Sequence, residues 1–123
     1  MQIALLQWAE LVQVGQHTLA DWLAHVPNGG ARTPFEGAIL KAMGTKAGMP
    51  DLILPIRTTV YAAGYWELKA GNEKPSEVQI ERHAMLRAGG SYVTISRRWD
   101  DAARDMLRYL ERGPFTVICR ARL

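Results

Sequence analysis

Short apolar stretches with β-strand character alternate with helical patterns along this chain, and the alternation limits the folds open to it. Residues 52–54 and 60–68 are the first two such stretches, and a β-rich run follows at 92–95. Apolar residues recur at helical spacing over 76–88 and 99–110. The alternation predicts an α/β fold with a mixed central sheet flanked by helices.

The two ends of the chain give weaker patterns. Residues 2–23 read as helical, with Gly15 as the point where the stretch can divide into two helices. A further helix is expected from Thr33, as its cap, to about Met43, and residues 115–119 suit a last strand or an arm.

Size and composition favour one intracellular domain. The 123 residues fit a single domain over 1–123, and one cysteine excludes a disulfide within the chain, which suits a reducing cytoplasm. No apolar run approaches the roughly 18 residues that span a bilayer, so no membrane association is expected. The net charge of +3 permits a nucleic-acid partner without requiring one.

Three charged residues stand where the first two predicted strands meet. Asp51 opens one strand, and Glu67 and Lys69 lie two apart at the end of the next, on one face. If these strands pair as a hairpin, two carboxylates and an ammonium converge at one sheet edge. Carboxylates suit Mg²⁺ or Mn²⁺, and a neighbouring lysine can serve a hydrolytic water. Each fragment alone is more often a salt bridge or a turn.

The order of several motifs resembles a known family. The segments Gly48–Leu52 and Glu67–Lys69, followed by Gln79, resemble the PD-(D/E)xK nuclease superfamily. Residues 27–32 (Pro-Asn-Gly-Gly-Ala-Arg) and 40–51 resemble its VRR-NUC (virus-type replication-repair nuclease) branch, in the phage-type single-domain form. The resemblance implies a restriction-endonuclease-like α/β core.

The resemblance also implies roles for site residues. Asp51, Glu67 and the backbone carbonyl of Leu68 would bind Mg²⁺ or Mn²⁺, and Lys69 would serve the attacking water. Gln79 would complete the catalytic set by orienting Lys69 or a phosphate.

Gln79 and Glu10 each have a structural interpretation besides the functional one. Gln79 can instead form a capping box with Ser76 at a helix start. The first-helix glutamate usual in the family would fall before Met1, so Glu10 is retained as a metal-ligand candidate. A solvated helix position is the ordinary interpretation of Glu10.

Four residues before Asp51 are candidates for contact with DNA phosphates: Asn28, Arg32, Lys41 and Lys46. For any single lysine, a solvated surface charge is the more common role.

Together these features predict a metal-dependent, structure-specific DNA endonuclease. The resemblance implies a homodimer acting on branched DNA, such as a Holliday-junction resolvase, encoded by a phage or prophage and working in the bacterial cytoplasm. The alternative is a DNA-binding module with the same fold and weak or lost catalysis. A third hypothesis is an α/β interaction protein that carries the motif by chance.

Overall fold

A four-stranded sheet organises the molecule in the computed structural model, which describes residues 1–27 and 33–123. The helices are α1 (Gln2–Ala9), α2 (Leu19–Trp22), α3 (Pro34–Ala42), α4 (Glu77–Ala88) and α5 (Trp99–Leu110). The strands are β1 (Val12–Val14), β2 (His17–Thr18), β3 (Ala24–His25), β4 (Leu52–Leu54), β5 (Gly64–Leu68), β6 (Tyr92–Ser96) and β7 (Val117–Cys119).

The main sheet is mixed, as the alternating pattern predicts. Its strand order is β3-β4-β5-β6, antiparallel across the first two pairs and parallel between β5 and β6. The parallel pair needs a crossover connection, and α4 provides it. A smaller antiparallel sheet, in the order β2-β1-β7, joins the two ends of the described chain.

Successive residues of β5 point to opposite faces of the main sheet, and different helices cover those faces. Trp66 is fully buried and its indole donates a hydrogen bond to Asp105 on α5. Its neighbour Glu67 faces His83 on α4. The face of Trp66 holds the core, where α5 also packs against α1. Leu68, two residues after Trp66, packs toward the same core.

The helical expectation for residues 2–23 is wrong in its middle. Helix α1 ends at Ala9, and β1 and β2 then form a hairpin around Gly15, whose φ is +62°. Such a conformation favours glycine. Residues 12–14 are strand because β7 pairs with them, a contact between distant parts of the chain that local periodicity does not contain. The tentative last strand at 115–119 is thereby confirmed.

The remaining helices and strands follow the predicted order closely. Strand β5 begins at Gly64 rather than at residue 60, because residues 60–63 form a loop. The Thr33 hydroxyl accepts a hydrogen bond from the Glu36 amide at the start of α3. Within the described residues, no helix is both long and apolar enough to cross a membrane.

Candidate active site

The β4–β5 hairpin brings the two predicted carboxylates together. Leu52 pairs with Trp66, so the next step along the register sets Asp51 opposite Glu67. An Oδ2 atom of Asp51 accepts a hydrogen bond from the Leu68 amide at 2.7 Å. This bond fixes the Asp51 carboxylate against the end of β5. Leu68, expected to offer its carbonyl to a metal, is thus already part of the site through its amide.

Glu67 is buried in a way that strongly affects its ionisation. The residue is 2% exposed. The pKa of Glu67 is raised from 4.5 to about 8, first by burial and then by the charge and hydrogen bond of Asp51, while Lys69 acts in the opposite direction. Two adjacent carboxylates repel when both are ionised. A cation between them would relieve that repulsion.

Lys69 lies at the same edge of the sheet, one residue beyond β5. Its backbone amide donates to the Ser96 carbonyl at 3.0 Å, which continues the pairing with β6. The side chain is nearly buried, and its Nζ atom lies 3.5 Å from Oε1 of the exposed Glu73. A lysine held here places a positive charge beside the carboxylate pair. Glu73 was not anticipated from the sequence.

His83 is the main site residue that the sequence analysis missed. Its Nε2 atom lies 3.6 Å from Oε2 of Glu67, and both side chains are 3% exposed. Its position four residues after Gln79 in α4 sets both residues on one helix face. The spacing from Gln79 is the sequence signal that could have identified His83.

Gln79 forms the helix cap that was its plainer interpretation. Its side-chain Oε1 atom accepts a hydrogen bond from the backbone amide of Ser76. The backbone amide of Gln79 in turn donates to the Ser76 hydroxyl. The capping box does not use the side-chain nitrogen Nε2 of Gln79, so a role for this residue beside the site remains a prediction. Gly48, with φ at +77°, packs directly on this turn: an added Cβ would lie 2.6 Å from the Val78 carbonyl oxygen. The loop before Asp51 therefore sits tightly on the start of α4.

A basic cleft adjoins the carboxylate pair. It measures about 790 Å³ and lies between α3, the loop at 45–48 and the start of α4. Lys41, Lys46 and Arg82 line it, and no acidic residue does so among the described part of the chain. Gln79 also lines it, one helical turn from His83. The cleft thus carries positive charge next to the acidic site.

Glu10 is not brought to the carboxylate pair. Glu10 is the exposed C-cap of α1. Gln2, at the opposite end of α1, contacts His25, whose Nδ1 lies 3.1 Å from the Asp51 carbonyl oxygen. Eight residues of helix rise separate Glu10 from Gln2, roughly 12 Å. Asn28 and Arg32 lie outside the described residues.

The carboxylate pair suits a divalent cation, although it is sparse in ligands. Glu67 Oε2 is buried without a hydrogen-bond partner. Carboxylate oxygens are the ligands that Mg²⁺ and Mn²⁺ prefer. In residues 1–27 and 33–123, no three His, Cys, Asp or Glu side chains form a group able to hold a metal ion. Asp51 and Glu67 would therefore hold a cation with help from backbone or water oxygens.

A mixed sheet with helices on both faces, and a charged site at one edge of its hairpin, defines a restriction-endonuclease-like α/β fold. Among solved structures, a protein described as "VRR_NUC domain protein" is 28% identical, with a TM-score of 0.80. The match covers 91% of this chain and 86% of that one. No family model and no curated protein matches the sequence. The chain has the VRR-NUC fold, which is a nuclease-type fold.

Proposed function

We propose that this protein is a divalent-cation-dependent DNA endonuclease that hydrolyses phosphodiester bonds. The observation that carries the proposal is the Asp51–Glu67 pair, with Glu67 buried, beside Lys69 on a VRR-NUC fold. Folds of this nuclease type typically work on DNA with divalent metals, which agrees with the carboxylate chemistry of the pair.

Each residue of the site would have a distinct task. Asp51 and Glu67 would hold Mg²⁺ or Mn²⁺, with the Leu68 carbonyl as a further ligand; the bound ion would polarise the scissile phosphate. Lys69 would orient the attacking water and stabilise the negative charge that grows on the phosphate oxygens. The nearly complete burial of Lys69 strengthens this effect, because charge interactions are less screened away from solvent.

The basic cleft would hold the DNA backbone beside the site. Lys41, Lys46 and Arg82 line it without opposing acids among the described residues, so phosphates can approach with little repulsion. Arg82 is an addition to the sequence-based candidates. Gln79, at the junction between cleft and carboxylates, would contact the phosphate nearest the site. Contacts from Asn28 and Arg32 stay predictions.

Branched DNA is the substrate we favour. The basic side chains of the cleft suit contacts with phosphates, which carry no base sequence, so DNA shape rather than base order would direct cleavage. A homodimer would present two sites for paired incisions across a Holliday junction. Encoding by a phage or prophage, and action in the bacterial cytoplasm, stay predictions.

The test compares a four-way junction with a linear duplex of the same sequence. Purified protein is incubated with each in Mn²⁺, and light scattering gives its oligomeric state. We expect Mn²⁺-dependent cleavage, faster on the junction, that Asp51→Asn abolishes and the exposed control Asp101→Asn retains. Failure of the wild type to cut either DNA would reject the enzyme; equal cutting of both would reject the structural preference.

A DNA-binding module with little catalysis is the second candidate. The described residues bring two carboxylates to the site and no third acidic side chain that completes a metal-binding group. This hypothesis predicts salt-dependent DNA binding without cleavage. Calorimetry separates the two, because Mn²⁺ binding that disappears in Asp51→Asn favours the enzyme.

A further inference from the structure

His83 and Glu67 form a buried polar pair that lacks other partners. Glu67 Oε2 and His83 Nε2 lie 3.6 Å apart, and neither atom has a hydrogen-bond partner. This distance is just longer than a hydrogen bond. Buried polar atoms without partners are uncommon in folded proteins, and each one has a cost in free energy. Packing alone therefore does not explain why these two polar side chains are buried together.

The position of His83 in α4 indicates what this side chain contributes. All twelve residues of α4 are described, and His83 is the one that is buried in this helix. A helix that buries a single side chain against a sheet would be stabilised more simply by an apolar residue there. The imidazole instead occupies the position that faces Glu67, the more deeply buried carboxylate of the site.

The ring nitrogen of His83 that faces Glu67 can act as a hydrogen-bond donor. Nε2 of an imidazole carries a proton in the cation and in one of the two neutral tautomers. In each of these forms the N–H group faces the free Oε2 atom of Glu67, 3.6 Å away.

We propose that His83 is a positioning residue, which donates a hydrogen bond from Nε2 to Oε2 of Glu67 and so holds that carboxylate in the orientation for binding a divalent cation with Asp51. The proposal rests on the metal-dependent function proposed above. Residues that hydrogen-bond to a metal-binding side chain commonly change metal affinity about 10- to 100-fold when they are lost. His83 itself does not bind the cation or touch the DNA.

The test measures the Kd for Mn²⁺ by calorimetry in the full chain, without DNA. We expect His83→Leu to weaken Mn²⁺ binding about 10- to 100-fold. His83→Gln should stay within a few-fold of the wild type, because its amide nitrogen reaches the place of Nε2 and donates. The control is His17→Leu, a matched change at an exposed histidine on the smaller sheet.

The outcomes separate this proposal from the function on which it rests. Unchanged Mn²⁺ affinity in a folded His83→Leu protein would overturn the positioning role while leaving the cation site intact. Absence of Mn²⁺ binding by the wild type would overturn both. If His83→Leu does not fold, His83→Asn replaces it: its shorter amide falls short of Glu67, so it should bind Mn²⁺ more weakly than His83→Gln. Equal binding by those two would also contradict the proposal.

Discussion

Trp66 and Glu67 are buried neighbours on β5, yet they belong to two polar clusters of opposite character. On the core face, Oδ2 of Asp105 accepts from the Trp66 indole at 2.9 Å and from the Tyr92 hydroxyl at 2.7 Å. On the other face, Glu67 and His83 each keep a buried atom without a partner. We call the first group the closed cluster (Trp66, Tyr92 and Asp105) and the second the open cluster (Asp51, Glu67, Lys69 and His83).

The polar groups of the closed cluster stabilise the fold, whereas those of the open cluster are arranged to bind a ligand. In the closed cluster every donor meets an acceptor, and burial together with the Asp105 bond raises the pKa of Tyr92 to about 12, so its proton is held firmly. In the open cluster, burial and the neighbouring Asp51 carboxylate together raise the pKa of Glu67 to about 8, so ionising Glu67 there is costly. Strain of this kind is typical of functional sites.

The largest effect should follow from removing the lysine of the open cluster. Lys69→Ala deletes the charge beside the carboxylates, and we expect DNA cleavage in Mn²⁺ to fall about 10²- to 10³-fold, as for loss of one group that stabilises developing charge. Single-turnover cleavage of a four-way junction measures this. Lys74→Ala, an exposed lysine in the same loop, should cut normally. Undiminished cleavage by Lys69→Ala would remove it from the catalytic residues.

The open cluster should also make stability depend on pH. Because the folded-state pKa of Glu67 is raised from 4.5 to about 8, the folded protein keeps a proton that the unfolded chain loses between these values. The free energy of unfolding should therefore fall as pH rises through this window, by up to about 5 kcal/mol at about 1.4 kcal/mol per pKa unit. Urea unfolding between pH 5 and 8 measures the fall.

Glu67→Gln is the control for that pH dependence. It cannot ionise, so its stability should change less with pH, and at pH 8 it should exceed the wild type without metal. Mn²⁺ at about 100 times its Kd should restore about 3 kcal/mol to the wild type alone. Parallel pH profiles for the two proteins would show that Glu67 ionises normally.

Substitutions in the closed cluster should lower the free energy of unfolding and leave DNA cleavage unchanged. Asp105→Ala leaves the Trp66 and Tyr92 donors without an acceptor, at a cost of about 2–4 kcal/mol in unfolding free energy. Asp105→Asn keeps an acceptor oxygen and should lose less than half of that. Both should cut DNA normally per folded molecule. A specific loss of cleavage in folded Asp105→Asn would break the distinction between the clusters.

The smallest effect concerns the turn that presents α4 to the open cluster. Ser76→Ala removes the hydroxyl half of the capping box, and we expect about 1 kcal/mol less stability, measured by urea unfolding. Glu77→Ala, also exposed in the first turn, is the comparison and should cost less. Equal losses would mean that the cap contributes little.

Much of the site could be predicted because its signals are local. Asp51, Glu67 and Lys69 stand at strand ends in a recognisable order, and the Ser76–Gln79 capping box follows directly from residue spacing. The prediction could not include the distances between residues that only the fold sets. Glu10 follows the helix that begins at Gln2 but lies at its far end. The β1–β2 hairpin forms where a helix was expected. Pairing with β7, contributed by residues more than a hundred positions away, overrides that periodicity.

The sequence by itself determined the order of strands and helices from residue 33 onward, the hairpin that joins Asp51 to Glu67, and the resemblance to a nuclease family. Those features depend on spacing along the chain, which sets the face of a strand or helix on which each side chain lies. Only the tertiary structure decided that His83 meets Glu67, and that Trp66 and its neighbour enter clusters of opposite character. Burial and partnership depend on how α4 and α5 pack against the two faces of one sheet, and residue spacing does not specify that packing.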